Sequence, residues 1–225
     1  MRAVLVTGAA RGLGAAVVER LRGDGYAVLG ADLAGADIEL DVRDADAWAA
    51  AVVALAEAGE PWGLVNCAAR TVVRDFFEIE PDEWDDVLAT NLRGPFLGCR
   101  AVGAVLRERG GGRIVNVSSD AAFKGRGVIG AHYGTSKAAL IALTRRAAAA
   151  LAASGVTVNA VAPGTIDGET VRELAGDRLV ELAAEPALAR LARPEEIAGV
   201  VAWLLGEDAS YVTGTVLVAD GGASL

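Results

Sequence analysis

The sequence predicts an α/β protein: one doubly wound parallel sheet of seven strands, with the helix between strands two and three missing. Three observations predict it. Short apolar runs alternate with longer helix-period segments from end to end. The runs are nearly continuous in Val, Leu, Ile and Ala, as expected of strands buried on both faces. One interval between two runs is too short to hold a crossover helix.

The strand candidates are Ala3–Thr7, Ala27–Asp32, Ile38–Val42, Gly63–Asn66, Arg113–Val117, Val156–Val161 and Thr215–Val218. The helical segments between them are Leu13–Gly23, Ala45–Ala58, Pro81–Arg109, Tyr133–Ala153 and Pro194–Leu205. Strand and helix in alternation build βαβ units and hence a parallel sheet. Only Leu33-Ala34-Gly35-Ala36-Asp37 separates the second strand from the third. Five extended residues span about 17 Å, so an extended loop is expected there. Pro95 lies inside the long helical segment, and Gly94 weakens the same place. A proline removes a donor and clashes with the preceding turn, so a break is expected around Asn91–Gly94. No linker or repeat divides the 225 residues, which read as one domain, 1–225.

Composition narrows the function. Lys and Arg number 21 against 30 Asp and Glu, a net charge of −9. A nucleic acid or an anionic membrane needs a basic face, so neither is an expected partner. No apolar stretch reaches the roughly 18 residues of a membrane span. The first strand begins almost at Met1 with no small-residue cleavage site, so no signal peptide is expected. Cys67 and Cys99 show no pairing signature, which fits a reduced, cytoplasmic protein. His132 is the sole histidine, which excludes a multi-histidine metal site or a histidine-based triad; no metal is expected.

Four groups of residues carry chemistry. Thr7-Gly8-Ala9-Ala10-Arg11-Gly12-Leu13-Gly14 follows a strand and opens a helix. Such a turn brings backbone N–H groups and the positive end of a helix to a pyrophosphate. Its spacing is G-x-x-x-G-x-G, not G-x-G-x-x-G. Asp32 ends the second strand, eighteen residues after Gly14, followed by Leu33. A carboxylate there accepts from an adenosine ribose and repels a 2′-phosphate, which points to NAD. Arg11 argues for NADP, since a guanidinium pairs with that phosphate. Asp32 carries more weight because it would meet the phosphate directly, so NAD is expected and NADP stays open. Tyr133 and Lys137 are four apart on one helical face. An ammonium beside a phenol favours the phenolate, so the pair is suited to exchange a proton with an alcohol. Ser118-Ser119 ends a strand at the sheet edge where open α/β folds place ligands.

Together these residues resemble the short-chain dehydrogenase/reductase family, over essentially the whole chain. The match adds Asp41-Val42, Asn66-Cys67-Ala68-Ala69, Asn91, Asn159 to Gly164, Arg193 to Ala198, Tyr211 to Gly214 and Asp220-Gly221-Gly222. The resemblance implies a Rossmann-type sheet, with Tyr133 as acid/base and Lys137 lowering its pKa and holding the nicotinamide ribose. It implies Ser119 as the substrate-orienting hydroxyl and Asn91 as the holder of a relay water. It places Asp41 and Val42 at the adenine, Asn66 and Ala68 at its ribose, and Pro163, Gly164 and Ile166 at the nicotinamide. It also implies a homotetramer or homodimer.

The chain departs from the family pattern in four places. Ser119 precedes Tyr133 by fourteen residues and Asp120 by thirteen, where the family places its serine. A carboxylate cannot donate to a carbonyl, so Ser119 is taken as the active hydroxyl. Ala69 replaces a glycine, and Gly168 a threonine for which Thr170 is the substitute. The short Asp32–Ile38 crossover and Ser119-Asp120-Ala121-Ala122 resemble the branch that oxidises cyclic dihydrodiols. The expected activity is hydride transfer between nicotinamide and a secondary alcohol or ketone, a cyclic alcohol or dihydrodiol among them. A second reading is an NADPH-dependent 3-oxoacyl-thioester reductase. A third is a non-catalytic dinucleotide-binding protein, which would show decay of the Asn91, Ser119, Tyr133 and Lys137 set. Asp167–Leu191 is expected to cover the pocket with Val171, Leu174, Leu179, Val180 and Leu182. Lys124, Arg126 and His132 read as a solvated loop face.

Overall fold

The structure is a computed structural model that describes residues 1–125 and 129–225. Arg126 therefore lies outside the described residues, as does the side chain of Thr170. The order of elements is β1 (Arg2–Thr7), α1 (Gly12–Gly23), β2 (Ala27–Asp32), β3 (Ile38–Glu39), α2 (Ala47–Ala58) and β4 (Glu60–Asn66). Then come α3 (Pro81–Leu88), α4 (Gly94–Arg109), β5 (Gly112–Val117), α5 (Ala131–Leu151) and β6 (Val156–Pro163). The chain closes with α6 (Glu169–Ala175), α7 (Leu179–Ala184), α8 (Pro194–Leu205) and β7 (Val216–Ala219).

The seven strands form one parallel sheet in the order β3-β2-β1-β4-β5-β6-β7. The strand order reverses between β1 and β4, and ligands of such sheets sit in the crevice at that point. The inner strands feed two apolar layers. Ala3, Leu5, Leu64, Ile114 and Val158 pack with Trp48, Leu55, Val102 and Leu106. Val4, Val6, Val65, Val115 and Val161 pack with Val17, Leu21, Ile197 and Leu205. This is why the strands read as continuous apolar runs rather than alternating ones.

The crossover from β2 to β3 holds no helix, as its length dictates. Asp37 stands in for a strand partner there: its Oδ2 accepts from Gly30 N at 2.7 Å and from Arg22 Nη2 at 2.8 Å. β3 is shorter than the expected Ile38–Val42. Only Ile38 and Glu39 pair, with Ala31 and Asp32, because β2 ends at Asp32. Asp41 then bends the chain away, its Oδ1 accepting from Arg43 N at 2.9 Å. β4 starts three residues early, and its register against β1 shifts at Ala3/Val4. Pro61 lies at that shift and has no N–H for the ladder.

The break in the long helix takes a specific form. α3 and α4 are joined by one turn of π-helix, Ala89–Arg93, with Asn91 fully buried at its centre. Single π-turns inside helices recur at functional sites. Two short helices, α6 and α7, occupy the segment left without elements in the sequence reading. His132 is not on a loop: it lies in the first turn of α5, fully buried.

Candidate active site

The glycine turn is built by close approach. A Cβ on Gly14 would stand 1.9 Å from Gly8 O, and one on Gly8 would stand 2.8 Å from Ala68 Cα and N. Thr7 locks the same junction. Its hydroxyl accepts from Cys67 N at 3.1 Å and Ala68 N at 3.2 Å, and donates to Val65 O at 3.4 Å. Thr7 thus braces β1 against the end of β4, with its side chain spent on protein. Gly12 differs from its neighbours. It holds φ +57°, and nothing lies within 4 Å of where its Cβ would stand. α1 begins there, N-capped by exposed Arg11 with no side-chain capping bond. An open cradle of left-handed glycine at a helix N-terminus fits a pyrophosphate. Leu13 packs into the core beneath it.

Asp32 lies beside this turn. Its Oδ2 accepts from Ala10 N at 3.0 Å and its Oδ1 from Leu33 N at 2.8 Å. Two backbone donors hold the carboxylate in one orientation at the carboxyl end of β2. Leu33 is largely exposed. The Asp41 carboxylate is held below the usual range, chiefly by hydrogen bonds from the Arg43 side chain. Arg43 reaches on to Asp86 at 2.6 Å, so the side chain of Asp41 is committed to this ion pair. Val42 is buried, and its carbonyl accepts from Trp48 Nε1 at 3.0 Å. Asn66 turns into the protein: its Nδ2 donates to Asn116 Oδ1 at 2.8 Å, and Asn116 Nδ2 donates to Thr144 Oγ1 at 2.9 Å. Only its backbone, with that of Ala68, faces the glycine turn.

Tyr133, Lys137 and Ser119 meet at the carboxyl end of β5. The Ser119 and Thr71 hydroxyls lie beside the Tyr133 hydroxyl, close enough to pull its pKa down. Lys137 Nζ lies 5.6 Å from the centre of the Tyr133 ring and donates to Val117 O at 2.8 Å. Burial pushes the Tyr133 phenol up to about 12, outweighing the two hydroxyls, which pull it down. Burial also pushes the Lys137 ammonium down to about 8. In the protein alone, then, loss of water decides the state of the phenol, and the downward influence expected of Lys137 does not. Ser118 is excluded from this cluster because its Oγ donates to Lys137 O at 2.9 Å.

Asn91 ties the π-turn to the same cluster. Its Oδ1 accepts from Arg70 N at 2.7 Å, and its Nδ2 donates to Arg70 O at 3.0 Å and to Ser136 Oγ at 3.1 Å. Ser136 in turn donates to Tyr133 O at 2.7 Å. Pro163 ends β6, and Gly164 is pressed against Asp220, where a Cβ would meet Cα at 2.9 Å. Ile166 forms an isolated bridge with Ala192. These three line the far side of the same sheet edge.

This arrangement has known counterparts. A family model described as enoyl-(acyl carrier protein) reductase matches residues 8–224. The short-chain reductase protein NovJ of Streptomyces niveus is 41% identical, covering 97% of this chain and 92% of its own. An acetoacetyl-CoA reductase of Rhizobium meliloti is 37% identical over 98% of both chains. The 3-oxoacyl-[acyl-carrier-protein] reductase FabG of Escherichia coli is 34% identical over 97% and 95%. The chain belongs to the short-chain dehydrogenase/reductase family. The ligand-free aldohexose dehydrogenase AldT of Thermoplasma acidophilum superposes with a TM-score of 0.92 at 31% identity, over 99% of this chain and 94% of that one. As a short-chain dehydrogenase/reductase, the protein is an oxidoreductase of CH–OH groups, and members of the family use NAD(P).

Some residues of this dehydrogenase/reductase site carried no signal in the sequence. Thr71 lies on an irregular loop beside the phenol, and Val72 O accepts from Gly130 N at 2.9 Å, pinning that loop to the start of α5. Ser136 sits inside the Tyr133-to-Lys137 spacing but reads as filler. Lys124 is not a solvated loop residue: its Nζ lies 2.6 Å from Asp120 Oδ2. Of the expected lid residues, Val180 is largely exposed and Leu174 is partly so.

Proposed function

We propose that this enzyme transfers a hydride between a nicotinamide cofactor, NAD in preference to NADP, and a secondary alcohol or ketone. Cyclic alcohols and dihydrodiols are included in that class. The observation that carries the reading is the convergence of Ser119 and Thr71 on the Tyr133 hydroxyl, with the Lys137 ammonium beside the ring. A bound nicotinamide supplies or accepts the hydride. The chain's own groups do the rest. Tyr133 gives its hydroxyl proton to the substrate oxygen in reduction and takes it back in oxidation. Ser119 donates a hydrogen bond to that oxygen. Lys137 stabilises the phenolate by its charge and holds the ribose. Asn91, at the centre of the π-turn, offers a carbonyl to a relay water.

For the cofactor, Thr7, Gly8, Arg11, Gly12, Leu13 and Gly14 form the pyrophosphate cradle. Asp32 and Leu33 hold the adenosine ribose, and the backbone around Asp41 and Val42 borders the adenine. Asn66 and Ala68 border the adjoining ribose, and Pro163, Gly164 and Ile166 the nicotinamide. We further assign one domain, 1–225, a cytoplasmic setting and a homotetramer. Exposed Trp203, Tyr211, Val218 and Leu225, around α8, β7 and the tail, support the assembly. The decisive experiment is a panel of secondary alcohols, cyclic diols and 3-oxoacyl thioesters with NAD(H) and NADP(H), followed by nicotinamide absorbance. Turnover that survives Tyr133→Phe would sink the mechanism.

A second reading has its own support. One relative is named an acetoacetyl-CoA reductase and another a 3-oxoacyl-[acyl-carrier-protein] reductase, and exposed Arg11 at the glycine turn suits a 2′-phosphate. Efficient reduction of acetoacetyl-CoA with NADPH, and not NADH, would favour it over the first.

A further inference from the structure

The residue after Ser119 is a buried carboxylate, and its partner is a lysine from the following loop. Ser119 Oγ accepts from Ala121 N at 3.2 Å and lies 3.2 Å from Asp120 Oδ1, to which it donates. A hydroxyl has one proton to give. Asp120, the Tyr133 phenol and an incoming substrate oxygen therefore compete for the same proton. An ionised carboxylate is the strongest acceptor of the three. Lys124 Nζ binds the other oxygen of Asp120 at 2.6 Å, and the side chains are only 13% and 24% exposed, so the pair is shielded from water.

We propose that Asp120 and Lys124 form a positioning pair for the Ser119 and Tyr133 hydroxyls. Lys124 draws the carboxylate's charge to Oδ2, so that Ser119 releases its proton to the substrate oxygen and the phenol has a nearly neutral neighbour. The pair touches no reacting atom; it acts through Ser119 and rests on the acid/base reading of Tyr133 given above. Charged and titratable groups face the phenol: Lys137 on α5, Cys67 after β4 and Asp120 after β5, with Lys124 on the other oxygen of Asp120. Glu185, past the end of α7, lies 3.9 Å from Lys124. Burial is the first cause of the raised phenol, and the charge of Asp120 adds to it. A lone Asp120 would therefore hold the phenol protonated more firmly, and a lone Lys124 less.

The test needs neither substrate nor cofactor. Tyr133 is replaced by 3,5-difluorotyrosine, whose more acidic phenol titrates where the protein stays folded, and fluorine NMR follows it against pH. Lys124→Met should raise the midpoint by at least ~0.5 unit and Asp120→Asn should lower it by a similar amount. The double variant should fall between them. Midpoints unmoved in both single variants, or moved in the same direction, would overturn the proposal. Circular dichroism confirms that each variant is folded, and the Lys124→Met/Asp120→Asn chain serves as backup if one single variant is not. Activity of Tyr133→Phe decides the acid/base reading separately: an active Tyr133→Phe with shifted midpoints sinks that reading and leaves the electrostatic coupling standing.

Discussion

Asn91 and Ser136 are 45 residues apart in sequence, yet Asn91 Nδ2 donates to Ser136 Oγ at 3.1 Å. Through that bond the π-turn between α3 and α4 holds the first turn of α5, because Ser136 passes it on to the carbonyl of Tyr133 at 2.7 Å. A helix with ordinary spacing through Ala89–Arg93 would rotate Asn91 off this line. The π-turn therefore positions the segment that carries Tyr133 and Lys137.

Asn91→Ala should remove three hydrogen bonds and leave Arg70 N and O without their partner. The expected loss is about 2–4 kcal/mol of stability, measured by urea unfolding. Turnover should fall as well at temperatures where the variant is folded. A variant as stable as the parent would mean that Asn91 does not anchor this turn.

Asp32→Ala should relax the cofactor preference by about tenfold or more in the ratio of NAD to NADP dissociation constants, read by calorimetry. The change removes both the ribose acceptor and the repulsion of a 2′-phosphate. It also frees Ala10 N and Leu33 N, so affinity for NAD itself should weaken. A parent enzyme that binds NADP more tightly would refute the role given to Asp32.

In the proposed mechanism alcohol oxidation uses the Tyr133 phenolate, and burial raises that phenol to about 12 in the protein alone. The oxidation rate should therefore climb with pH through the neutral and alkaline range, while ketone reduction, which needs the protonated phenol, should not. Ser119→Ala should cost on the order of 10²–10³ in turnover. Asp120→Ala should keep substantial activity. The opposite result for these two would move the active hydroxyl by one residue.

Lys137→Met should stabilise the protein without cofactor while abolishing turnover. Burial lowers the Lys137 pKa from 10.5 to about 8. Below pH 8 the folded state holds a buried ammonium at a cost, and the unfolded state does not. Between pH 8 and 10.5 the unfolded chain binds more protons than the folded one, so the cost fades as pH rises. The variant should thus gain about 1–3 kcal/mol at pH 7, and the gain should shrink towards pH 10. Melting temperatures of both proteins across that range decide it; a gain independent of pH would assign it to packing instead.

The sequence by itself determined the sheet, the missing crossover helix, the break beside Asn91 and the shared helical face of Tyr133 and Lys137. These follow from local quantities: apolar runs of strand length, five residues where a helix needs a dozen, a proline inside a helix, and a four-residue spacing on one helical face. Only the tertiary structure decided what each polar side chain is spent on. Thr7, Asn66 and Asp41 have the right types in the right places, but their side chains bind Cys67 and Ala68, Asn116, and Arg43. For Thr7 and Asn66 the partners come from other strands and loops, at separations of up to 61 residues, and no local pattern records them, whereas Arg43 lies two residues from Asp41. The same holds for Thr71 beside the phenol. Spacing along a chain sets which residues share a face, whereas burial sets which of their hydrogen bonds must be made inside the protein, and burial exists only once the sheet has closed around them.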